Sequence, residues 1–235
     1  MIVTATDLKN NFGKMLKLLD YEDIIVKKNG RVLAKIVKYT EPLDTYGTIK
    51  ETYHTYRPED RKVTYEEFLK FTANSEERYE LIDGEIYMLA SPKVTHQSIV
   101  GLLYGEFYKY FEGKSCTPFV SPYDIKLEVD NKMNVVQPDL GVICNLEEFT
   151  DEEDRYMGIP TLVVEVLSKS SVTRDMVRKL NIYMLSGIEE YWIIDSFNET
   201  AKVYSFEDYE ISDYKEFKKG TKIESFTFDG LSVKW

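Results

Sequence analysis

The sequence predicts a mixed α/β fold, an α+β sandwich over residues 63–235. A small βαββ unit over residues 1–40 precedes it, with residues 41–62 as a linker. Three observations predict this. Two strongly apolar runs, residues 161–167 and 190–195, flank a helical pattern that closes at Gly187, a strand–helix–strand order. Asn29-Gly30 and Asp83-Gly84 each sit between short strand-like runs, and such dipeptides suit the positive φ of a type I′ hairpin. Charge is also divided: residues 1–40 hold eight Lys/Arg against four Asp/Glu, and the rest of the chain 22 against 37, within a net charge of −11.

Length and composition narrow the classes. A chain of 235 residues holds one large domain, or a medium domain with a small one. Hydrophobic content of 43% and charged content of 30% support a packed core and exclude wholesale disorder. No apolar run approaches the roughly 18 residues of a membrane span, so no membrane partner is expected. The N-terminus lacks a basic-then-apolar signal pattern. Cys116 and Cys144 are the only cysteines, with no CxxC, which argues against a thiolate zinc site and reads as a reduced, cytoplasmic setting.

In chain order, Ile2-Val3-Thr4 is a short strand and Thr6 an N-cap for a helix running to about residue 19. That helix would place Leu8, Phe12, Met15, Leu16 and Leu19 on one face and Lys9, Lys14 and Lys17 off it. Residues 24–27 and 32–37 form the hairpin strands. The unit is too small to bury its apolar face alone, so it should dimerise or dock. The run Val3-Thr4-Ala5-Thr6-Asp7-Leu8-Lys9, Leu16 to Leu19, and residues 24–34 resemble the N-terminal domain of Phd/YefM-type antitoxins. The resemblance implies a homodimer or higher homo-oligomer, operator DNA bound through Lys9, Lys14, Lys28 and Arg31, and a protein partner of toxin type. Lys9 stands where members often carry Arg, and Lys lacks the bidentate base contact of Arg. A plain dimerisation or docking element is the other reading.

Thr64 and Glu67 fit a capping box opening a helix over residues 65–72. Residues 78–82 and 85–89 form the second hairpin. Thr95 or Ser91 should start the longest helix, roughly residues 96–111, with Ile99, Leu102, Leu103, Phe107 and Tyr110 as its apolar face and Gly113 as its stop. Strands follow at residues 116–120, 124–129 and 135–144. The acidic residues of 146–156 read as a solvated turn. Thr173 should cap the helix that ends at Ser186. The tail, residues 201–206, 223–228 and 231–235, reads as antiparallel edge strands.

Asp139 and Glu165 each interrupt an apolar run that otherwise reads as a buried strand. A charge there is costly unless paired or bound to metal. A structural ion pair, for example Glu165 with Lys179, and a metal centre both satisfy them. Asp175, Lys179 and Tyr183 recur at i, i+4 and i+8 and so share a helix face. Glu80 is a third carboxylate. If Glu80, Asp139 and Glu165 converge, a cation must stand among them, and hard oxygen ligands favour Mg²⁺ or Mn²⁺. With Lys179 beside them, this is the equipment of metal-assisted phosphodiester hydrolysis. His96, at a helix start, could contact phosphate, orient a ligand water or act as a cap. Asp175 would pair with Lys179 or Arg178, and Tyr183 would pack with its hydroxyl satisfied.

Pro138-Asp139, followed by Glu165 on the next strong strand, is similar to the PD-(D/E)XK nuclease signature. Leu167 replaces the signature Lys, and many members of that superfamily carry the Lys on the following helix, where Lys179 stands. A closer resemblance, over about residues 65–195, is to the Uma family of restriction-endonuclease-like proteins. It is carried by Tyr79-Glu80-Leu81-Ile82-Asp83-Gly84-Glu85, Ser91-Pro92 with His96, Gln137-Pro138-Asp139-Leu140, Val163-Val164-Glu165-Val166-Leu167-Ser168, Asp175 with Lys179 and Tyr183, and Glu190-Tyr191-Trp192-Ile193-Ile194-Asp195. Lys169 stands where that family usually has Pro. The resemblance implies a metal-dependent endonuclease acting on nucleic acid, with Glu80, Asp139 and Glu165 on the metal, Lys179 in catalysis, and His96, Asp175 and Tyr183 in support. The alternative is a non-catalytic DNA-binding or toxin–antitoxin-type regulatory protein on a nuclease-derived fold, which the acidic large domain favours.

Overall fold

The computed structural model describes residues 2–4, 6–8, 12–13, 16, 19, 24–28, 31–36, 62–168 and 174–235. The chain divides into two compact units, Met1–Tyr56 and Arg57–Trp235. Residues 41–61 of the expected linker lie outside the described residues, as do the Asn29-Gly30 turn, Lys9, Lys14, Met15, Lys169 and Thr173.

In the first unit, β1 (Ile2–Thr4) runs parallel to β2 (Ile24–Lys28), which pairs antiparallel with β3 (Arg31–Ile36). Lys28 stands opposite Arg31, and both are exposed. Residues 6–8, 12–13 and 16 are helical. The cap is Thr4 rather than Thr6: the Asp7 amide donates to Thr4 Oγ1 (3.1 Å) and the Asp7 carboxylate accepts from the Thr4 amide (3.3 Å), a reciprocal box. Val3, Ile24 and Val26 are buried with Leu8 and Leu19 against them, while Phe12 (50% exposed) and Leu16 (43%) stay in solvent.

The second unit opens with α1 (Tyr65–Thr72), capped as expected by Thr64 and Glu67. β4 (Tyr79–Ile82) and β5 (Glu85–Met88) form the hairpin, with Asp83 at φ 51° and Gly84 at φ 73° in its turn. α2 spans Val94–Phe111 and begins on Lys93, which makes no side-chain cap, so neither Thr95 nor Ser91 starts it. Its buried stripe is Val100, Leu103, Phe107 and Phe111. Leu102, expected inside, is 43% exposed, because the helix is rotated about one residue from the face that counting large apolar residues favours.

β6 (Cys116–Val120), β7 (Ile125–Val129), β8 (Lys132–Val136) and β9 (Leu140–Cys144) follow. The expected strand over 135–144 is thus two strands in two sheets, parted at Gln137-Pro138-Asp139, where proline cannot donate to a ladder. β10 (Leu162–Val166) leads to a π-helical segment, Arg174–Lys179, that continues into α3 (Leu180–Ser186), closed by Gly187 at φ 91°. β11 (Glu190–Asp195), β12 (Thr200–Glu207), β13 (Glu210–Lys218), β14 (Lys222–Glu224) and β15 (Ser232–Lys234) complete the chain. The tail expectation omitted β13, whose residues are solvent-exposed apart from Phe217.

Six strands form the main sheet in the order β13-β12-β11-β10-β9-β6, and four form a second in the order β5-β4-β8-β7. Among the described residues of the main sheet, only β10 and β11 run parallel. Alternation along β10 sends Leu162, Val164 and Val166 to a core shared with α2, and Val163 and Leu167 to a second core shared with Ile82, Ile125, Val136 and Tyr183. This is the mixed α/β sandwich that the sequence predicts. The register also sets Cys116 opposite Cys144, with Cα atoms 4.1 Å apart, and the two are disulfide-bonded. That corrects the expectation of reduced thiols, since a cross-strand partner 28 residues away leaves no local signal. Among the described residues, no helix is long and apolar enough to cross a membrane.

Glu190 is fully buried at the start of β11. One oxygen accepts from Ser225 Oγ (2.9 Å) and from the amides of Phe226 (3.0 Å) and Thr227 (2.7 Å), and the other accepts from the Trp192 indole. The carboxylate therefore pins residues 225–227 to the main sheet. Replacing Glu190→Ala leaves these donors without acceptors, and the expected loss is about 3 kcal/mol or more, read by chemical denaturation.

Candidate active site

Glu80 on β4 is fully buried; its Oε1 accepts from the Gln137 amide (2.9 Å) and from Lys179 Nζ (2.7 Å). Asp139 sits in the break between β8 and β9. Its Oδ2 accepts from the Val166 amide (2.8 Å) and lies 3.1 Å from His96 Nε2, on the first turn of α2. Glu165 on β10 points into the second core, and its Oε1 accepts from Lys179 Nζ and from the Tyr183 hydroxyl, both at 2.7 Å. Lys179 also lies 3.7 Å from Asp175 Oδ1.

Strands from both sheets, the π-helical segment and α3 thus bring Glu80, Glu165, Asp175, Lys179 and Tyr183 together, with Asp139 and His96 at the more open edge. The side chains of Asp139 and His96 are 19% and 16% exposed, against 5% or less for the charged groups around Lys179. Asp175 pairs with Lys179 and not with Arg178. Arg178 reaches instead to Glu85 Oε2 (2.7 Å) and to the Tyr87 hydroxyl on β5. Of the expected nucleic-acid contacts, Lys28 and Arg31 belong to the first unit described above.

The electrostatics follow from burial and from an excess of acid. Burial drives the Glu165 carboxyl well above its ordinary range; Lys179 opposes this, and Asp175, Asp139 and Glu80 add to it. Burial, helped by Glu165, likewise pushes the Tyr183 and Tyr191 phenols well up, so both are neutral donors. Burial would lower His96, but its hydrogen bond to Asp139 and that carboxylate's charge raise it overall. Tyr191 was absent from the expected site. Its hydroxyl donates to the Asp175 carbonyl (3.0 Å) and its ring meets Tyr183 edge-on at 4.9 Å. The buried run Glu190–Asp195 was legible as a strand, yet nothing local marks a tyrosine in it as the partner of a widened helical turn.

Among the described residues, no three His, Cys, Asp or Glu side chains stand as a ready-made metal cage. Asp139 and Glu165 each nevertheless keep one carboxylate oxygen, Oδ1 and Oε2, without a hydrogen bond among the described residues. A cavity of about 620 Å³ lies elsewhere, between the end of α3 and the β12–β13 turn, and includes none of these carboxylates.

A family model described as "Uma2: Putative restriction endonuclease" matches residues 65–234, and the chain belongs to that family. Two proteins of Synechocystis sp. are similar: the uncharacterized protein slr1290, 27% identical over 67% of this chain and 85% of its own length, and the uncharacterized protein sll1609, 29% identical over 57% and 76%. The crystal structure of "a putative nuclease belonging to DUF820" from Anabaena variabilis shares the fold. Its TM-score is 0.54 at 19% identity, covering 70% of this chain and 90% of that one. The fold and the family are restriction-endonuclease-like.

Lys179→Met removes the lysine that, among the described residues, is ion-paired with Glu80, Glu165 and Asp175. The expected loss is about 3–5 kcal/mol near neutral pH. The Glu165 carboxyl, already raised, rises further in this variant. The penalty is therefore small below its ordinary value of 4.5 and grows as pH climbs above it, so denaturation midpoints of variant and parent should converge in acid. Glu85 behaves oppositely. Burial would raise it, but hydrogen bonds from Lys62, Tyr87 and Arg178 and the charge of Arg178 bring it down to about 2. Its contribution is present above 4.5 and lost as pH falls through about 2, and the side-chain carboxyl signal in an NMR titration should turn near that lower value.

Proposed function

We propose that the protein is a Mg²⁺- or Mn²⁺-dependent endonuclease that hydrolyses phosphodiester bonds in DNA. The observation that supports this reading is the charge of the site. Among the described residues, four carboxylates, Glu80, Asp139, Glu165 and Asp175, are gathered around one lysine and one histidine, and a divalent cation would offset that excess. Hard cations of this kind are held by one or two carboxylates, with water and substrate filling the other positions. The open oxygens of Asp139 and Glu165 fit that donor set. The bound metal would supply Lewis acidity toward the phosphate and a hydroxide-like nucleophile at neutral pH.

The chain's own residues have separate tasks. The Val166 amide and His96 fix one Asp139 oxygen and leave the other open. Tyr183 and Lys179 do the same for Glu165. Glu80 holds Lys179 from the opposite sheet, and the ammonium places positive charge where the reacting phosphate becomes more negative. In the first unit, exposed Lys28 and Arg31 suit contact with DNA phosphates. Exposed Ile2, Phe12, Leu16 and Leu33 suit pairing with a second copy in the antitoxin-like manner.

The acidic balance beyond residue 40 favours a second reading, a non-catalytic regulatory protein that binds DNA or a toxin-type partner through its first unit. One experiment separates the two: cleavage of single- and double-stranded DNA with Mg²⁺ or Mn²⁺, alongside calorimetric titration of Mn²⁺. Cleavage that falls about 100-fold or more in both Glu165→Gln and Asp139→Asn, with Mn²⁺ binding weakened in each, is the expected result. Neither cleavage nor Mn²⁺ binding by the unaltered chain sinks the nuclease reading.

A further inference from the structure

The cavity of about 620 Å³ beyond the end of α3 is a cleft with an apolar floor and an aromatic rim. Ile188 and Phe206 are buried and, with Met184 against them, make the floor from one end of the second core. Tyr209 (62% exposed) and Phe226 (37%) stand at the rim. Glu189, Glu207 and Asp208 line the cleft too, all exposed. Among the described residues, none of these three carboxylates makes a hydrogen bond or an ion pair, and no Lys or Arg lines the cleft.

The walls are built. Ser205 stands opposite Asp213 and Phe206 opposite Ile211, so Ser212 is an extra residue without a partner on β12. A bulge of this kind bends its strand and re-aims side chains, and here it falls on the cleft wall. Another wall is fixed by Glu190, whose carboxylate holds the Phe226 and Thr227 amides at 3.0 and 2.7 Å. The turn joining β12 to β13 is Asp208-Tyr209, with φ of 50° and 63°. Two positive φ values define a type I′ turn, which favours Asn and Gly. A tyrosine there strains the backbone, and among the described residues its side chain makes no hydrogen bond or ring contact that would offset the cost.

Charge and shape select the occupant. Three carboxylates repel the phosphates of a nucleic acid. Among the described residues no three acidic side chains converge closely enough to cage a metal ion, so the negative charge is spread around the cleft. Spread charge beside aromatic rings suits a broad, flat cation. A guanidinium stacks on such rings and donates to several carboxylates at once, which an ammonium does less well. A free small molecule needs most of its surface enclosed. This cleft is open, and its apolar surface runs on past Gly187 to Ile159, 48% exposed. An open cleft of that kind suits an anchor side chain delivered by a larger surface, and arginine is enriched among such anchors. We propose that the cleft is a protein-docking site that receives an arginine side chain from a basic segment of a partner protein. Tyr209 stacks on the guanidinium, and Glu189, Glu207 and Asp208 accept its N–H groups. The site contains none of the carboxylates around Lys179 and is independent of the nuclease reading.

Amide NMR spectra of the full chain, titrated with the peptide acetyl-Ala-Leu-Arg-Leu-Ala-amide, test this. The shifts should be confined to residues 187–189, 205–212 and 226–227. The same peptide with citrulline, a neutral isostere, should bind about tenfold more weakly or worse, and so should acetylarginine amide alone. Glu207→Gln combined with Asp208→Asn should weaken the arginine peptide about fivefold or more. Asparagine accepts a positive φ, so Tyr209→Asn should keep or raise the thermal midpoint while weakening the peptide about tenfold. Absent or scattered shifts, equal binding of the citrulline peptide, or unchanged binding by Tyr209→Asn would each overturn the proposal. Acetylarginine amide binding as tightly as the peptide would overturn it as well, since the cleft would then be a site for a free cation.

Discussion

The ammonium of Lys179 is the point on which the second unit turns. It is 2% exposed and held by Glu80 and Glu165 at 2.7 Å and by Asp175 at 3.7 Å. Burying an ammonium costs several kcal/mol, recovered only when its partners are close and well placed. Those partners come from β4 in one sheet, β10 in the other and the π-helical segment that carries the lysine itself. Apolar packing between two sheets tolerates small shifts, whereas this network does not. It fixes how the four-stranded sheet meets the main sheet, and Arg178 with Glu85 adds a second tie between the same segment and the β4–β5 hairpin.

That network explains why most of the site could be read from the chain. A carboxylate inside an apolar run is an anomaly that only a partner resolves, so Asp139 and Glu165 announced themselves. Glu80 was assigned through the family resemblance, and Lys179 through its spacing from Asp175 and Tyr183 on a helix face. The choice between Lys179 and Arg178 as partner of Asp175 was not legible. Adjacent residues on a helix point about a quarter-turn apart, and the π-helical stretch over Arg174–Lys179 changes that angle. Tyr191 stayed hidden for a related reason: the acceptor it serves is the carbonyl of Asp175, and a main-chain group has no signature in sequence.

The fold divides along similar lines. Runs with one strong period, such as β10, β11 and α1, were legible with their ends. β13 was not, because a strand open to solvent on both faces has no reason to alternate apolar with polar. The break at Pro138 was missed for the opposite reason. Apolar residues continue on both sides of it, and the chain passes from one sheet to the other without a change in composition. The family match over residues 65–234 and the shared fold at 19% identity concern this same unit, in which pattern and packing agree.

The break at Pro138 is also what frees Asp139. A residue inside the ladder of β9 would commit its main chain to neighbouring strands and send its side chain to one face. Just outside it, Asp139 reaches across to the Val166 amide at the end of β10 while its own carbonyl accepts from Ser121 (3.2 Å). Register then decides which groups it meets. Val164 pairs with Trp192 and faces the apolar core under α2; Val163 pairs with Tyr191 and, with Glu165, faces the ionised site. A slip of one residue in β10 would exchange those faces, putting Glu165 against Phe107 and Trp192 and a valine against Lys179. The apolar packing under α2 therefore secures the charged cluster on the other side of the sheet: burying a carboxylate without partners there is costly enough to hold the one register in which Asp139, Glu165 and Lys179 meet.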